Sequence, residues 1–296
     1  MNLSVRLLAS LRQSAAKVIA LFVWLCTVAQ ARDPFTSSQA LIFSEGVDSI
    51  PYRLFEPSIP TGTPVPLILF LHGAGERGTN NTAQVAFHIQ GLIDRTELGS
   101  SAAYLIAPQA PPNQSWSGTP LRLALNLVEQ FRNTHHVDAT RIYITGLSLG
   151  GFGTYAALAE RPGLFAAAVP MSAGGGTALA ATYAQTPLWG FHGASDTVVP
   201  VSSSRTTIAA IQNAGGTRER YTELPGQGHV IWGPIYNGDS YSYDTNYTGT
   251  YVSDGSGDVY SWLFSQQQIP EPGTATLLVA SALLLATRRS RKRRPQ

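Results

Sequence analysis

Ile142-Tyr143-Ile144-Thr145-Gly146-Leu147-Ser148-Leu149-Gly150-Gly151 runs from an apolar, strand-like stretch through a glycine-flanked serine and on into the helix-like segment Gly153 to Glu160. A serine between strand and helix occupies a strained corner, where a Cβ on either flanking glycine would collide with a neighbouring element. Its hydroxyl is lifted above the sheet, and the positive N-terminal end of the helix points at it. G-x-S-x-G alone is common in glycine-rich loops. Flanked by a strand and a helix, it makes Ser148 the candidate nucleophile.

Outward from this corner, apolar runs alternate with helix-like segments. That alternation predicts an α/β fold, with a mostly parallel central sheet and helices on both faces. Ala40 to Phe43 and Ile50 to Glu56 form an expected hairpin, and Val65 to His72 is apolar enough for a strand buried on both faces. Ala102 to Ala107, Arg141 to Gly146, Ala166 to Met171, Leu188 to Gly193 and Glu219 to Leu224 supply further strands. Helical spacing covers Thr82 to Leu98, Leu121 to Thr134, Gly153 to Glu160, Ser202 to Ala214 and the closing segment Asp258 to Gln266. Asn237 to Gly257, rich in Tyr, Ser, Asp and Gly, is one long irregular stretch of the kind that borders function or moves. No internal repeat and no dinucleotide or P-loop glycine pattern occurs.

The two ends stand apart from a catalytic domain expected over 32–269. Residues 1–31 carry Arg6, Arg12 and Lys17, no acid, the apolar stretch Val18 to Val28 and then Ala29-Gln30-Ala31, the three parts of a secretory signal cleaved after Ala31. The apolar stretch is short for a membrane span. Cys26, the only cysteine, lies in this leader, and Trp24-Leu25 before it do not suit a lipidation site. The mature protein is thus expected to hold neither disulfide nor thiol nucleophile. Between 32 and 269 there are 11 arginines and no lysine against 17 acids, a net charge of −6, although the whole chain is +2. The basic balance belongs to the ends, and nothing in the body points to nucleic acid.

At the C-terminus, Pro270-Glu271-Pro272-Gly273 precedes the apolar run Thr274 to Thr287 and the basic cluster Arg288 to Arg294. As a helix, that run spans about 21 Å, short of a hydrocarbon core of roughly 30 Å. The three parts in this order resemble the PEP-CTERM sorting signal of Gram-negative bacteria. The resemblance implies export, membrane contact through the C-terminal segment and processing by an exosortase. A plain C-terminal anchor with its basic end in the cytoplasm has the same topology but leaves the enzyme tethered in the inner membrane.

A serine nucleophile needs a base, an acid to orient that base and donors for the oxyanion. Asp196, just past the end of the Leu188 to Gly193 strand, and His229, in Gly226-Gln227-Gly228-His229 beyond the last strand, follow Ser148 in the order of an α/β-hydrolase. Asp196 could instead cap the helix near Ser202, and Glu223 is the next acid to test. Gly228 lets a tight turn aim the imidazole. Among the other histidines, His88 falls in a predicted helix, His135 and His136 precede a strand and are solvated, and His72 and His192 support loops at strand ends. Oxyanion donors are expected from the N–H of Leu149 and from the loop His72-Gly73-Ala74-Gly75-Glu76-Arg77-Gly78, with Ala74 chosen and Gly75 its neighbour. A Glu76–Arg77 ion pair would brace that loop. Trp116 and Trp232, with the tyrosines of 236–251, could wall a site for a sugar or aryl group, as core packing would also explain.

Leu71 to Gly78, Arg141 to Thr154, Phe165-Ala166-Ala167-Ala168-Val169-Pro170-Met171, Trp189-Gly190-Phe191-His192-Gly193 and Gly228-His229-Val230-Ile231-Trp232 together resemble the secreted esterases of the α/β-hydrolase superfamily. The nearest group is similar to polyhydroxybutyrate depolymerase-like, feruloyl and acetylxylan esterase-like enzymes, also labelled predicted peptidases. The resemblance covers nearly all of 40–266 and implies Ser148 as nucleophile, Asp196 as acid and His229 as base, with no metal or cofactor. Leu149 departs from the commoner Met or Gln, but only its N–H is used, and the 237–257 stretch matches nothing in the group. The expected activity is that of a secreted carboxylic-ester hydrolase acting on a polysaccharide-linked or aryl ester. A serine peptidase would use the same residues, and a non-catalytic matrix protein would show a broken triad.

Overall fold

A computed structural model describes residues 32–60, 62–97, 99–240 and 257–268. The expected leader 1–31, the tail 270–296 and the centre of the irregular stretch, 241–256, lie outside the described residues.

β1 (Gln39–Glu45) and β2 (Asp48–Phe55) form the expected hairpin, turning at Gly46, and β2 pairs antiparallel with β4 (Tyr104–Pro108). From β4 onward the sheet is parallel, through β3 (Val65–Leu71), β5 (Val137–Leu147), β6 (Ala167–Met171), β7 (Leu188–Gly193) and β8 (Glu219–Leu224), in the order β1-β2-β4-β3-β5-β6-β7-β8. All seven residues of β3 are buried, as its unbroken apolar run requires. Leu67, Leu69 and Leu71 enter one core while Ile68 and Phe70 enter the other, because alternate side chains leave a strand on opposite faces.

Helices cover both faces. On the Leu67 side lie α3 (Gly118–Thr134), α4 (Leu149–Glu160) and α6 (Ser202–Asn213), which contribute Leu121, Leu125, Tyr155, Ile208 and Ile211. On the Ile68 side lie α2 (Gln90–Arg95), α7 (Trp232–Asn237) and α8 (Val259–Ser265), which contribute Leu92, Ile235 and Trp262. The Asp258 carboxylate caps α8 by accepting from the N–H groups of Tyr260 and Ser261. Two further single turns are α1 (Ala83–Ala86) and α5 (Ala180–Tyr183). Among the described residues, no helix is long and apolar enough to cross a membrane.

One predicted helix is broken. The segment Thr82 to Leu98 folds as α1 and α2, separated by extended Phe87 and by His88 at φ +72°, so His88 is not helical. The cause is packing against α7: a Cβ on Gly91 would lie 2.3 Å from the Tyr236 carbonyl oxygen, and the chain turns at Phe87–His88 to reach that close seat. α4 also starts four residues earlier than its expected Gly153, directly after Ser148. All these elements belong to the unit Pro34–Gln296, and the preceding unit, Met1–Asp33, is described only at its last two residues.

Candidate active site

Ser148 joins β5 to α4 with φ 52° and ψ −116°, a conformation a non-glycine residue holds only under constraint. The constraint is visible on both sides of the corner. Its N–H donates to Met171 O at 2.9 Å, and its carbonyl accepts from the N–H groups of Gly151 and Phe152. A Cβ on Gly146 would meet Gly150 O at 2.2 Å.

The Ser148 hydroxyl lies 2.9 Å from His229 Nε2, and His229 Nδ1 lies 2.7 Å from Asp196 Oδ2. Asp196 sits in the loop after β7 and His229 in the loop after β8, so the three side chains meet at the carboxyl edge of the parallel strands. The two loops are tied together: Ser195 N–H donates to Gln227 O at 2.8 Å, and a Cβ on Gly193 would lie 2.1 Å from Gly228 O. The left-handed turn that aims the imidazole is at Gly226, φ +70°, rather than at Gly228. Ser172, after β6, donates its hydroxyl to His229 O at 2.9 Å and holds that backbone in place.

Asp196 Oδ1 accepts from the N–H groups of Val198 at 2.8 Å and Val199 at 2.9 Å. Burial pushes this carboxyl's pKa up, but the hydrogen bonds from His229 and from those two backbone groups outweigh it and hold the value below the usual carboxylate range. Asp196 is therefore held in its ionised form at neutral pH. Glu223, the other acid considered, is paired with Arg205 of α6.

The loop after β3 begins in a buried histidine. His72 Nε2 accepts from the Ala110 N–H at 2.9 Å, so the ring proton sits on Nδ1, which donates to Gly73 O at 2.6 Å. Burial drives its pKa down to about 4, against the raising effect of the Gly73 carbonyl and with a further lowering from Arg77. Ala74 then opens a 3₁₀ turn, Ala74–Glu76, and Leu149 opens α4. Among the described residues, neither the Ala74 nor the Leu149 N–H has an acceptor, as the first N–H groups of any helical turn lack one. Arg77 braces this loop by donating to Ala74 O at 2.9 Å, not by pairing with Glu76. The Glu76 carboxylate lies 3.9 Å from His72 instead.

Neither expected tryptophan stands as an open wall. Trp116 is 2% exposed, its ring seated against Gly153 and its N–H donated to His72 O at 2.9 Å, so it supports the loop from below. Trp232 is 4% exposed and meets the His229 ring edge-on at 5.6 Å. Exposed His88 also meets Trp232 edge-on, at 5.5 Å. Sequence reasoning missed His88, because only its left-handed backbone brings it here. His135 and His136 are exposed, with His135 stacked on Phe131 at 3.6 Å. A groove of about 510 Å³ runs between Phe152 on α4, Gly174 to Gly176 after β6, and Ser203 and Thr206 on α6, and Ser148, Asp196 and His229 do not line it.

This is the α/β-hydrolase fold, the scaffold of a superfamily of esterases and peptidases. The model of the prolyl oligopeptidase family matches residues 113–177, which hold Trp116 and Ser148. The chain is similar to a bifunctional acetylxylan esterase/xylanase of Neocallimastix patriciarum, 29% identical over 140 residues that make up 45% of this chain and 20% of that protein. It is also similar to poly(3-hydroxyalkanoate) depolymerase C of Paucimonas lemoignei, 28% identical over 133 residues, 39% of this chain and 30% of that one. A solved thermostable esterase superposes with a TM-score of 0.65 at 32% identity, covering 79% of this chain and 64% of its own. The matches thus span less than a third of the curated relatives' lengths.

Proposed function

We propose that the protein is a serine carboxylic-ester hydrolase working through an acyl-enzyme. The observation that carries this reading is the continuous line from Ser148 Oγ to His229 Nε2 at 2.9 Å and from His229 Nδ1 to Asp196 Oδ2 at 2.7 Å. Ser148 Oγ attacks the ester carbonyl as His229 Nε2 takes its proton, and the negative charge that develops on the carbonyl oxygen falls to the N–H groups of Ala74 and Leu149. His229 then returns the proton to the leaving alcohol. Water, deprotonated by the same imidazole, attacks the acyl carbonyl, and His229 passes that proton to Ser148 Oγ as the acid leaves, while Asp196 holds the ring and stabilises its positive charge.

An ester with an apolar face fits the rim best. Phe87, Val198 and Val230 are exposed beside His88, Asp196 and His229, and Phe152 is exposed one turn after Ser148. The relatives named for acetylxylan and poly(3-hydroxyalkanoate) support an ester borne on a polymer, with a sugar-linked or aryl ester as the substrate class. Turnover of p-nitrophenyl esters of graded length, a feruloyl ester, acetylated xylan and a peptide anilide tests this. Cleavage of the anilide with all esters inert would favour the second reading, a serine peptidase, which the prolyl oligopeptidase family match supports.

The sequence of the two ends supports export. In this reading signal peptidase cuts after Ala31, and an exosortase-type enzyme processes the Pro270-Glu271-Pro272 tail, leaving the domain 32–269 in the periplasm, at the cell surface or in the extracellular matrix. Mass spectrometry of the protein recovered from its host checks both cuts. A product that starts at Met1 or retains Arg288 to Arg294 would contradict them.

A further inference from the structure

His192, the fifth residue of β7, takes no part in the acyl transfer described above, yet it is fully buried against the acid of the site. Its Nε2 lies 3.1 Å from Asp196 Oδ2 and 3.0 Å from Val199 O. Both neighbours are acceptors, so Nε2 carries a proton. Its Nδ1 lies 2.7 Å from the Ser204 hydroxyl on α6, and that hydroxyl is 2.5 Å from Ala173 O. A buried imidazole is costly unless its polar atoms are matched, and at Nδ1 the partner is a hydroxyl whose single proton is shared with Ala173 O.

We propose that His192 is a positioning residue that fixes the carboxylate plane of Asp196 for His229, an inference that rests on the Ser148–His229–Asp196 reading. Oδ1 is held by two backbone N–H groups, and because the carboxylate is a rigid plane, each hold on either oxygen restrains its rotation about the Cβ–Cγ bond. Oδ2 receives two imidazole N–H groups, one from His229 and one from His192. The second adds to that restraint at the oxygen that faces His229. Through Val199 O, His192 also holds the loop whose N–H groups grip Oδ1. Ser204, in contact with both Nδ1 and Ala173 O, keeps the His192 ring from turning, and Ala173 is next to Ser172, which holds the His229 backbone. The contacts therefore close a circuit from the loop after β6 to the acid and back to the base.

The charged or titratable groups around His192 are few. Asp196 and His229 face it directly, while Glu223 lies beside it in the β7–β8 register with its charge met by Arg205 of α6. α6 otherwise presents the Ser204 hydroxyl, and the loop after β6 presents a carbonyl. Removal of the His192 N–H leaves the Asp196 carboxylate less stabilised and more basic, so it grips the His229 imidazolium harder.

The test compares His192→Gln with His192→Asn in the intact protein. Both are polar and buriable, but the Gln amide reaches the Nε2 position facing Asp196, while the Asn amide reaches only the Nδ1 position facing Ser204. The inference predicts that His192→Gln keeps kcat within about twofold of wild type. His192→Asn should lose roughly tenfold in kcat at little changed KM, with the acid limb of the kcat/KM profile moved up by about half a pH unit. Equal kcat and an unmoved acid limb in both variants would overturn it. Ser148→Ala is the control: turnover retained there would overturn the serine reading itself, while its loss beside two equal His192 variants would reject only the role of His192.

Discussion

Gly150 and Leu71 are in backbone contact: a Cβ on Gly150 would lie 1.9 Å from the Leu71 carbonyl oxygen. The first turn of α4 is thereby seated directly on the end of β3, and the Ser148 corner is set against the loop that carries Ala74. Backbone cannot yield as a flexible side chain would. Gly150→Ala is expected to cost about 2–4 kcal/mol of unfolding free energy, read by urea denaturation, and to lower kcat by displacing Leu149.

Ser148 holds a strained backbone conformation. Glycine accepts φ 52° and ψ −116° without a Cβ conflict, so Ser148→Gly should be inactive yet more stable than wild type by about 1 kcal/mol. Thermal unfolding of the two proteins side by side checks this, and a destabilised glycine variant would count against strain at the corner.

Trp116 supports the loop after β3 through a single indole N–H donated to His72 O. Trp116→Phe keeps most of the ring and removes that donor, leaving His72 O without it. The expected result is a loss of about 1–2 kcal/mol in stability and a fall in kcat, with KM for aryl and sugar esters unchanged. A rise in KM alone would restore Trp116 to the role of a substrate wall.

Acid should unfold this protein early, and His72 is a main cause. Its folded pKa of about 4 lies below the usual 6.5, so the unfolded chain binds the proton first. The stability contributed by neutral His72 is complete above pH 6.5 and is lost as the pH falls from there towards 4, by about 3 kcal/mol in all. His192 is lowered by burial as well and acts in the same direction. Urea unfolding at pH 7, 5.5 and 4 should show a steeper decline for wild type than for His72→Gln, and parallel declines would contradict the assignment.

Much of the scaffold was legible because local pattern and tertiary demand agree. β3 reads as an apolar run since both its faces are buried, and β7 and β8 fall at their expected residues, Leu188–Gly193 and Glu219–Leu224. Ser148, Asp196 and His229 could be picked out by chain order, since the connectivity of a parallel sheet brings the loops after β5, β7 and β8 to one edge. What was not legible depends on distant contacts. The break at His88 comes from the seat of Gly91 on α7, and nothing near residue 88 announces it. Trp116 looked available for substrate because its N–H partner, His72 O, lies 44 residues away. His192 was readable as a loop support, but its hold on Asp196 needs the side-chain directions of β7 and α6 together.

The proposed ester hydrolysis passes through a covalent acyl group on Ser148. Rapid acid quench of the protein turning over a slow p-nitrophenyl ester, followed by peptide mass spectrometry, measures this directly. The predicted result is one acyl group on the peptide containing Ser148, absent from Ser148→Ala. Steady hydrolysis with no acylated Ser148 peptide, or with the acyl group on another residue, would contradict it.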